Sequence, residues 1–208
     1  KGILNGADLR QWNPEIDKKI PETYSARSMA GKAKCKEELQ KKMGLEVNPD
    51  IPVIGIVTRL VDQKGIAEIF APTYGSIYQI CTDMKVQFAI LGSGESWCEN
   101  EICALQSKLP NLRAYIGYDD ALSHLIEAGS DFFLMPSKYE PCGLNQIYSM
   151  LYGTLPIVRK TGGLADTVDN YNQQTGEGTG FVFEQLTPRA IYDTVGWAVW
   201  AYYNKKDH

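Results

Sequence analysis

A carboxylate followed at once by proline, and then by a glycine that opens a helix, stands in the middle of this sequence: Pro136-Ser-Lys-Tyr-Glu140-Pro-Cys-Gly143-Leu-Asn-Gln146. A chain entering a helix at Gly143 would turn free backbone N–H groups and the positive helix end toward the same side as Glu140. That combination suits a sugar hydroxyl lying beside a phosphate. A helix cap with an acid near it by chance is the plainer alternative. Cys142, with no histidine close in sequence, reads as structural rather than nucleophilic.

Four other segments carry polar or glycine-rich residues in the same relation to a preceding apolar run. Arg59-Leu-Val-Asp-Gln-Lys64-Gly65 places two cations five residues apart at a turn. A diphosphate leaving group gains charge as its bond to a sugar breaks, and paired cations would stabilise it as a bound metal does. A surface Arg and Lys beside Asp62 fit the spacing equally. Gly92-Ser93-Gly94-Glu95 lets a ligand approach backbone, or is an ordinary tight turn; Trp97 at the third glycine position rules out a dinucleotide fingerprint. In Gly117-Tyr118-Asp119-Asp120 the aspartates read as N-caps. Tyr118 by itself reads as a partly buried packing residue, with stacking on a base as the alternative. Lys160-Thr161-Gly162-Gly163 again enters a helix through glycines and could hold phosphate on its amides.

The elements that must position these segments follow from the alternation of short apolar runs with helical stretches, the pattern of βα units and a parallel sheet. Strands are expected at 53–58, 86–91, 113–117, 131–135 and 155–159, and a short extended piece at 180–183. Helices are expected at 28–43 (closed by Gly44), 66–84 (broken or kinked at Pro72), 96–108, 121–128, 143–152 and 164–170. Thr187 and Pro188 open a last helix as N-cap and first residue. Cys35, Leu39 and Met43 form the apolar stripe of the first helix, and its lysines 32, 34, 36, 41 and 42 read as a solvated face. On the last helix Ile191, Val195, Ala198, Val199 and Tyr202 share a stripe, while Trp197 and Trp200 project opposite it, as if a neighbouring domain were to cover them. In an open parallel sheet ligands bind beyond the carboxyl ends of the strands, where all five polar segments would gather.

The fold class is therefore α/β: a single Rossmann-like domain with a mostly parallel sheet flanked by helices. With 208 residues, 44% of them apolar, the chain can bury one such core. Residues 1–27 read as a connector, loop-like around Asn5-Gly6, and 28–208 as the domain; both ends look cut. The balance of 25 acidic against 21 basic residues argues against nucleic acid. The apolar runs are too short for a membrane span, and no signal peptide opens the sequence. Five cysteines without CxxC pairs or nearby histidines suggest a reduced, intracellular chain without a metal site.

At this level of detail the sequence resembles a known family. Glu140-Pro-Cys-Gly-Leu-Asn-Gln146 with Tyr152-Gly-Thr-Leu-Pro-Ile-Val-Arg-Lys-Thr-Gly-Gly-Leu-Ala-Asp-Thr167 is similar to the C-terminal domain of bacterial glycogen synthases and plant starch synthases. So are Thr58-Arg-Leu-Val-Asp-Gln-Lys-Gly65, Ile116-Gly-Tyr-Asp-Asp120, and the opening Asn5-Gly6 with Trp12-Asn-Pro14. The resemblance spans essentially the whole chain. It implies the C-terminal half of a two-Rossmann-domain (GT-B) retaining transferase that takes glucose from ADP-glucose to the non-reducing end of an α-1,4-glucan. The resemblance assigns catalysis to Arg59, Lys64 and Glu140. It implies donor contacts at Ser93, Gly94, Tyr118 (stacked on adenine), Cys142, Gly143, Leu144, Asn145, Thr161 and Gly162. Asn145 departs from the threonine of many relatives. No cofactor or metal is implied, the acceptor would be held by an N-terminal domain, and the location would be cytoplasmic, or plastidic in a plant. A UDP-glucose transferase of the sucrose or trehalose type is one alternative, and a non-catalytic nucleotide-binding module another. An NAD-dependent dehydrogenase is disfavoured by the missing glycine fingerprint.

Overall fold

In a computed structural model of the protein, residues 5–205 are described; residues 1–4 of the expected connector and residues 206 to His208 lie outside them. Six strands form one all-parallel sheet in the order β3-β2-β1-β4-β5-β6. They are β1 (Val53–Leu60), β2 (Gln87–Gly94), β3 (Leu112–Ile116), β4 (Phe132–Met135), β5 (Leu155–Arg159) and β6 (Phe181–Phe183). Each expected strand is present. β1 and β2 run two and three residues further than their apolar cores, so that Arg59 and Ser93 are themselves paired across the sheet.

Alternate strand residues point to opposite faces, and the sequence covers both. Ile54, Ile56, Phe88, Ile90, Phe132 and Leu134 enter one core beneath α2 (Ile66–Phe70), α3 (Ser76–Asp83), α4 (Ser96–Lys108) and α8 (Pro188–Asn204). Val53, Ala89, Leu91 and Phe133 enter the other, beneath α1 (Ala30–Met43) and α5 (Asp120–Gly129). α6 (Asn145–Leu151) and α7 (Gly162–Thr167) complete the βα series. The helix expected over 66–84 is two helices, separated around Pro72 as the missing N–H requires. Thr187 caps α8 through its hydroxyl, which accepts from the Ala190 amide at 3.1 Å, and Gly44 closes α1.

Three expectations change. Lys32 and Lys36 are not part of a solvated face. The Lys32 ammonium donates to the carbonyls of Ala128 and Tyr152 and to the Thr154 hydroxyl, and burial pushes its pKa down to about 8. Lys36 pairs with Asp131 at 2.8 Å, with side chains only 8% and 18% exposed. Both stems run along the apolar face of α1 and deliver their charge to acceptors below it. Trp197 does not wait for another domain: it packs on Phe181 and Tyr171, at ring-centroid distances of 5.1 and 5.9 Å. Trp200 remains at the surface.

The segment before α1 has no regular structure but is packed. Ile20 and Tyr24 are buried in the second core. The Trp12 indole lies stacked between His124 of α5 and Tyr148 of α6, at 3.8 and 4.0 Å. Asp17 accepts from His124 at 2.7 Å and from the Tyr152 hydroxyl.

The Lys36–Asp131 pair joins α1 to the start of β4, and Asp131 also accepts the Val53 amide at 2.8 Å. Removing one member strands a mostly buried ammonium. Asp131→Ala is expected to cost about 2 to 3 kcal/mol in urea unfolding; a loss below about 1 kcal/mol would rank the pair with ordinary surface bridges.

Candidate functional site

The strand order reverses between β1 and β4, and there the sheet opens. β1 pairs with β2 from Val53–Gln87 to Leu60–Gly94, but with β4 only at Ile54–Phe132 and Gly55–Phe133. Beyond that point the two strands part, at the place where open α/β sheets bind ligands. A cavity of about 340 Å³ occupies the gap.

Its wall brings together Arg59 and Lys64 from the segment after β1, Ser93 from the end of β2, Tyr118 after β3, and Glu140, Gly143, Leu144 and Asn145 after β4. Of the other expected donor contacts, Gly94, Cys142, Thr161 and Gly162 are not on this wall. The Gly94 amide is taken by the Glu99 carboxylate at 2.8 Å. The Cys142 sulfur accepts from the Asn5 amide at 3.3 Å. Gly162, with φ +45°, presses on the Glu140 carbonyl so closely that a Cβ would overlap it, and the Gly163 amide donates to that same carbonyl at 3.0 Å. These glycines serve loop-on-loop packing and hold Glu140 from behind.

The charges are set as follows. Lys64 ends a 3-10 turn, Asp62–Lys64, that Gly65 closes in a left-handed conformation at φ +71°. Any side chain there would collide with the Pro136 carbonyl, so the turn lies directly on the loop after β4. Contact at this distance lets Lys64 reach Glu140, with Nζ 2.5 Å from Oε2 and side chains 19% and 11% exposed. The Ser137 hydroxyl, buried beside it, donates to the same oxygen at 3.4 Å. Arg59, near the end of β1, is exposed at the cavity, and its guanidinium has no ion-pair partner among the described residues. Asp62 pairs with Lys138 rather than with Arg59 or Lys64, and its hydrogen bond holds the Lys138 ammonium above the ordinary lysine range. Asp62 thus takes neither cation of the segment: Arg59 keeps no ion-pair partner among the described residues, and Lys64 is held by Glu140 within the cavity wall.

The loops are tied into one rim. Glu95 after β2 accepts the Asp62 amide at 2.9 Å. Gln63 donates to the Tyr139 carbonyl at 3.0 Å, and the Lys138 amide to the Gln63 carbonyl at 2.9 Å. Arg159 at the end of β5 donates to the Lys138 carbonyl at 2.6 Å. Such bracing keeps charged groups in place before any ligand arrives.

Tyr118 is 84% exposed, so it is not the packing residue its sequence position suggests; the whole ring face is free to stack. Asp119 is the N-cap of α5, accepting from the Leu122 amide at 2.8 Å, whereas Asp120 pairs with Lys19. Regular helix begins at Asn145, so Gly143 and Leu144 form its approach. The Asn145 side chain donates through Nδ2 to the Val57 carbonyl of β1 at 2.9 Å, a structural bond across the cleft. Thr58, Ser123 and Ser137 also line the cavity and were not singled out from sequence. Ser137 lies in the quoted loop and could have been; Ser123, inside a helix, carries no local signal. Among the described residues, no group of three His, Cys, Asp or Glu side chains could hold a metal ion. No helix among them is long and apolar enough to cross a membrane.

Comparison with known proteins gives this geometry its family. The chain is 65% identical over 207 residues to a glycogen synthase of Treponema denticola, covering 100% of this chain and 42% of that protein. It is 50% identical to glycogen synthase 1 of Geobacter metallireducens, covering 99% and 40%. The chain thus spans less than half the length of these relatives. Among solved structures, the catalytic domain of starch synthase IV from Arabidopsis thaliana, bound to ADP and acarbose, superposes with a TM-score of 0.88 at 36% identity, over 98% of this chain and 42% of that one. A sucrose-phosphate synthase from Thermosynechococcus elongatus, at 20% identity and a TM-score of 0.61 over 82% of this chain and 42% of that one, shares the fold. Residues 37–199 match the family described as glycosyl transferases group 1, to which this chain belongs.

Proposed function

We propose that residues 28–208 are the donor-binding half of a glycogen synthase, with residues 1–27 connecting them to an acceptor-binding domain. The whole enzyme takes glucose from ADP-glucose to the non-reducing end of an α-1,4-glucan with retention. The observation that carries this reading is the convergence of Arg59, Lys64 and the approach to α6 on one cavity beside Glu140. The glycogen synthase and starch synthase relatives support it.

In this reading the diphosphate lies between Arg59, Lys64 and the amides around Gly143 and Leu144, and Tyr118 stacks on the adenine. Glu140 takes the glucose hydroxyls. The bond from the glucose anomeric carbon to the β-phosphate oxygen breaks, and a bond to the acceptor hydroxyl oxygen forms on the same face. The acceptor proton passes to the departing phosphate oxygen. Two cations supply the charge stabilisation for which other transferases use a metal, so no cofactor enters the scheme. A cytoplasmic setting would keep the five free cysteines reduced.

Lys64 contributes one charge-assisted bond to a charge that grows in the transition state. Lys64→Ala in the full-length enzyme is expected to lower turnover by roughly tenfold to a hundredfold; near-normal turnover would refute its role. Calorimetry with the 208-residue chain tests the donor. ADP-glucose is expected to bind more tightly than UDP-glucose, because adenine covers more of the Tyr118 ring than uracil, and the reverse order would move the chain to the UDP-using alternative. Pyrophosphate serves as a bare anion probe of the Lys64–Glu140 pair. Glu140→Gln frees the Lys64 ammonium and is expected to tighten pyrophosphate binding by about threefold or more. Unchanged binding would mean that the pair does not compete with the anion.

A further inference from the structure

A buried carboxyl that the reaction scheme does not use is linked through Ser149 to Asn145 on the cavity wall. Glu127, on α5, is 1% exposed, and Ser149, on α6, is fully buried. The Ser149 hydroxyl oxygen is 2.7 Å from Glu127 Oε2 and 2.7 Å from the Asn145 carbonyl oxygen. A hydroxyl has one hydrogen to give, while a carbonyl and an ionised carboxylate can only accept. Both contacts are full, unshared hydrogen bonds when the carboxyl brings a hydrogen of its own. Ser149 then accepts from Glu127 and donates to the carbonyl four residues back, the usual target of a serine inside a helix.

We propose that Glu127 carries a proton in the folded protein and, through Ser149, is a positioning residue for the start of α6 at the donor cavity. The positioning half rests on the donor-site reading above. The string continues to the cavity floor, because Asn145 donates from its side chain to the Val57 carbonyl at 2.9 Å, and Asn145 and Val57 both line the cavity. One proton on α5 thereby fixes the backbone of α6, whose first residue fixes the open edge of β1.

The surroundings favour the protonated form. Among the described residues, four titratable groups interact electrostatically with the carboxyl: Lys32 on α1, Tyr24 from the preceding segment, Tyr148 on α6 and Tyr152 just past it. The three Lys32 hydrogens go to Ala128, Tyr152 and Thr154, leaving none for Glu127. Burial outweighs the Ser149 bond and the Lys32 charge and raises the Glu127 pKa to about 8. A raised acid stabilises the fold below its unfolded pKa, and that contribution is lost as pH climbs through the folded value. Losing that proton also removes the hydrogen that Glu127 gives Ser149, so donor binding is expected to weaken on the alkaline side of about pH 8.

Two measurements on the 208-residue chain decide it. The first is a carbon-13 NMR titration of the glutamate carboxyls, with Glu127 assigned by its loss in Glu127→Gln. A midpoint near pH 8 is expected, and one in the ordinary glutamate range overturns the proton. The second is ADP calorimetry on both sides of that midpoint. Glu127→Gln, which keeps a donor toward Ser149, is expected to bind within about twofold of wild type and to lose the alkaline fall, while Ser149→Ala and Glu127→Ala bind about three- to tenfold more weakly. Wild-type affinity and pH dependence in all three variants would overturn the positioning role. Absence of ADP binding by the wild-type chain would remove the donor reading and the positioning role with it, leaving the titration to rule on the proton.

Discussion

The site exists because β1 and β4 stop pairing after two residues. A continuous ladder between them would fill the gap with hydrogen-bonded backbone and leave no room for a ligand. Parting two strands leaves donors and acceptors that must be satisfied some other way. The chain meets part of this need with the Asn145 side chain, which gives the Val57 carbonyl the partner that β4 no longer offers. The left-handed turn at Gly65 brings the chain back onto Pro136 just past the opening, so the cleft has a fixed width rather than a hinge of loose loops.

That fixed width governs the electrostatics. Lys64 and Glu140 sit on opposite sides of the opening and meet across it. Asp62, the carboxylate nearest Lys64 in sequence, is diverted to Lys138. Arg59 has no ion-pair partner among the described residues. An anion entering the cavity meets one cation that is unengaged and one that must be drawn away from a carboxylate. The resting state is thereby less positive than its residue list suggests, and the full field appears only when the Lys64–Glu140 contact is shared or broken.

Much of this was legible in the sequence, and the failures have physical causes. Buried parallel strands are nearly continuous apolar runs, so all five longer strands and the sixth short one could be placed. Their far ends, Arg59-Leu60 and Gly92-Ser93-Gly94, do not read as strand, because Arg59, Gly92 and Ser93 line the cleft and interrupt the apolar run while the backbone goes on pairing. Lys32 and Lys36 read as solvated residues in the sequence, since periodicity registers a charged head and not the acceptors waiting beneath α1. Trp197 was misjudged because its partners, Tyr171 and Phe181, are distant in sequence. At the site, the glycines at 162 and 163 have the composition of a phosphate loop but spend their freedom on the Glu140 backbone, a use that only the neighbouring chain reveals. The Val57–Asn145–Ser149–Glu127 string has no motif, because it joins β1, α6 and α5 by single hydrogen bonds.

The stacking of Trp12 between His124 and Tyr148 bears on where this folding unit begins. The segment that matches the family starts at residue 37, yet the roof over α5 and α6 is built by residues 12 to 24. Trimmed to the family boundary, the domain would expose His124 and Tyr152 to water and lose the carboxylate of Asp17 that both of them contact. The smallest fragment able to keep those helices dry is longer than the segment that matches the family, and its irregular residues 12 to 24 are as much a part of the globule as any strand.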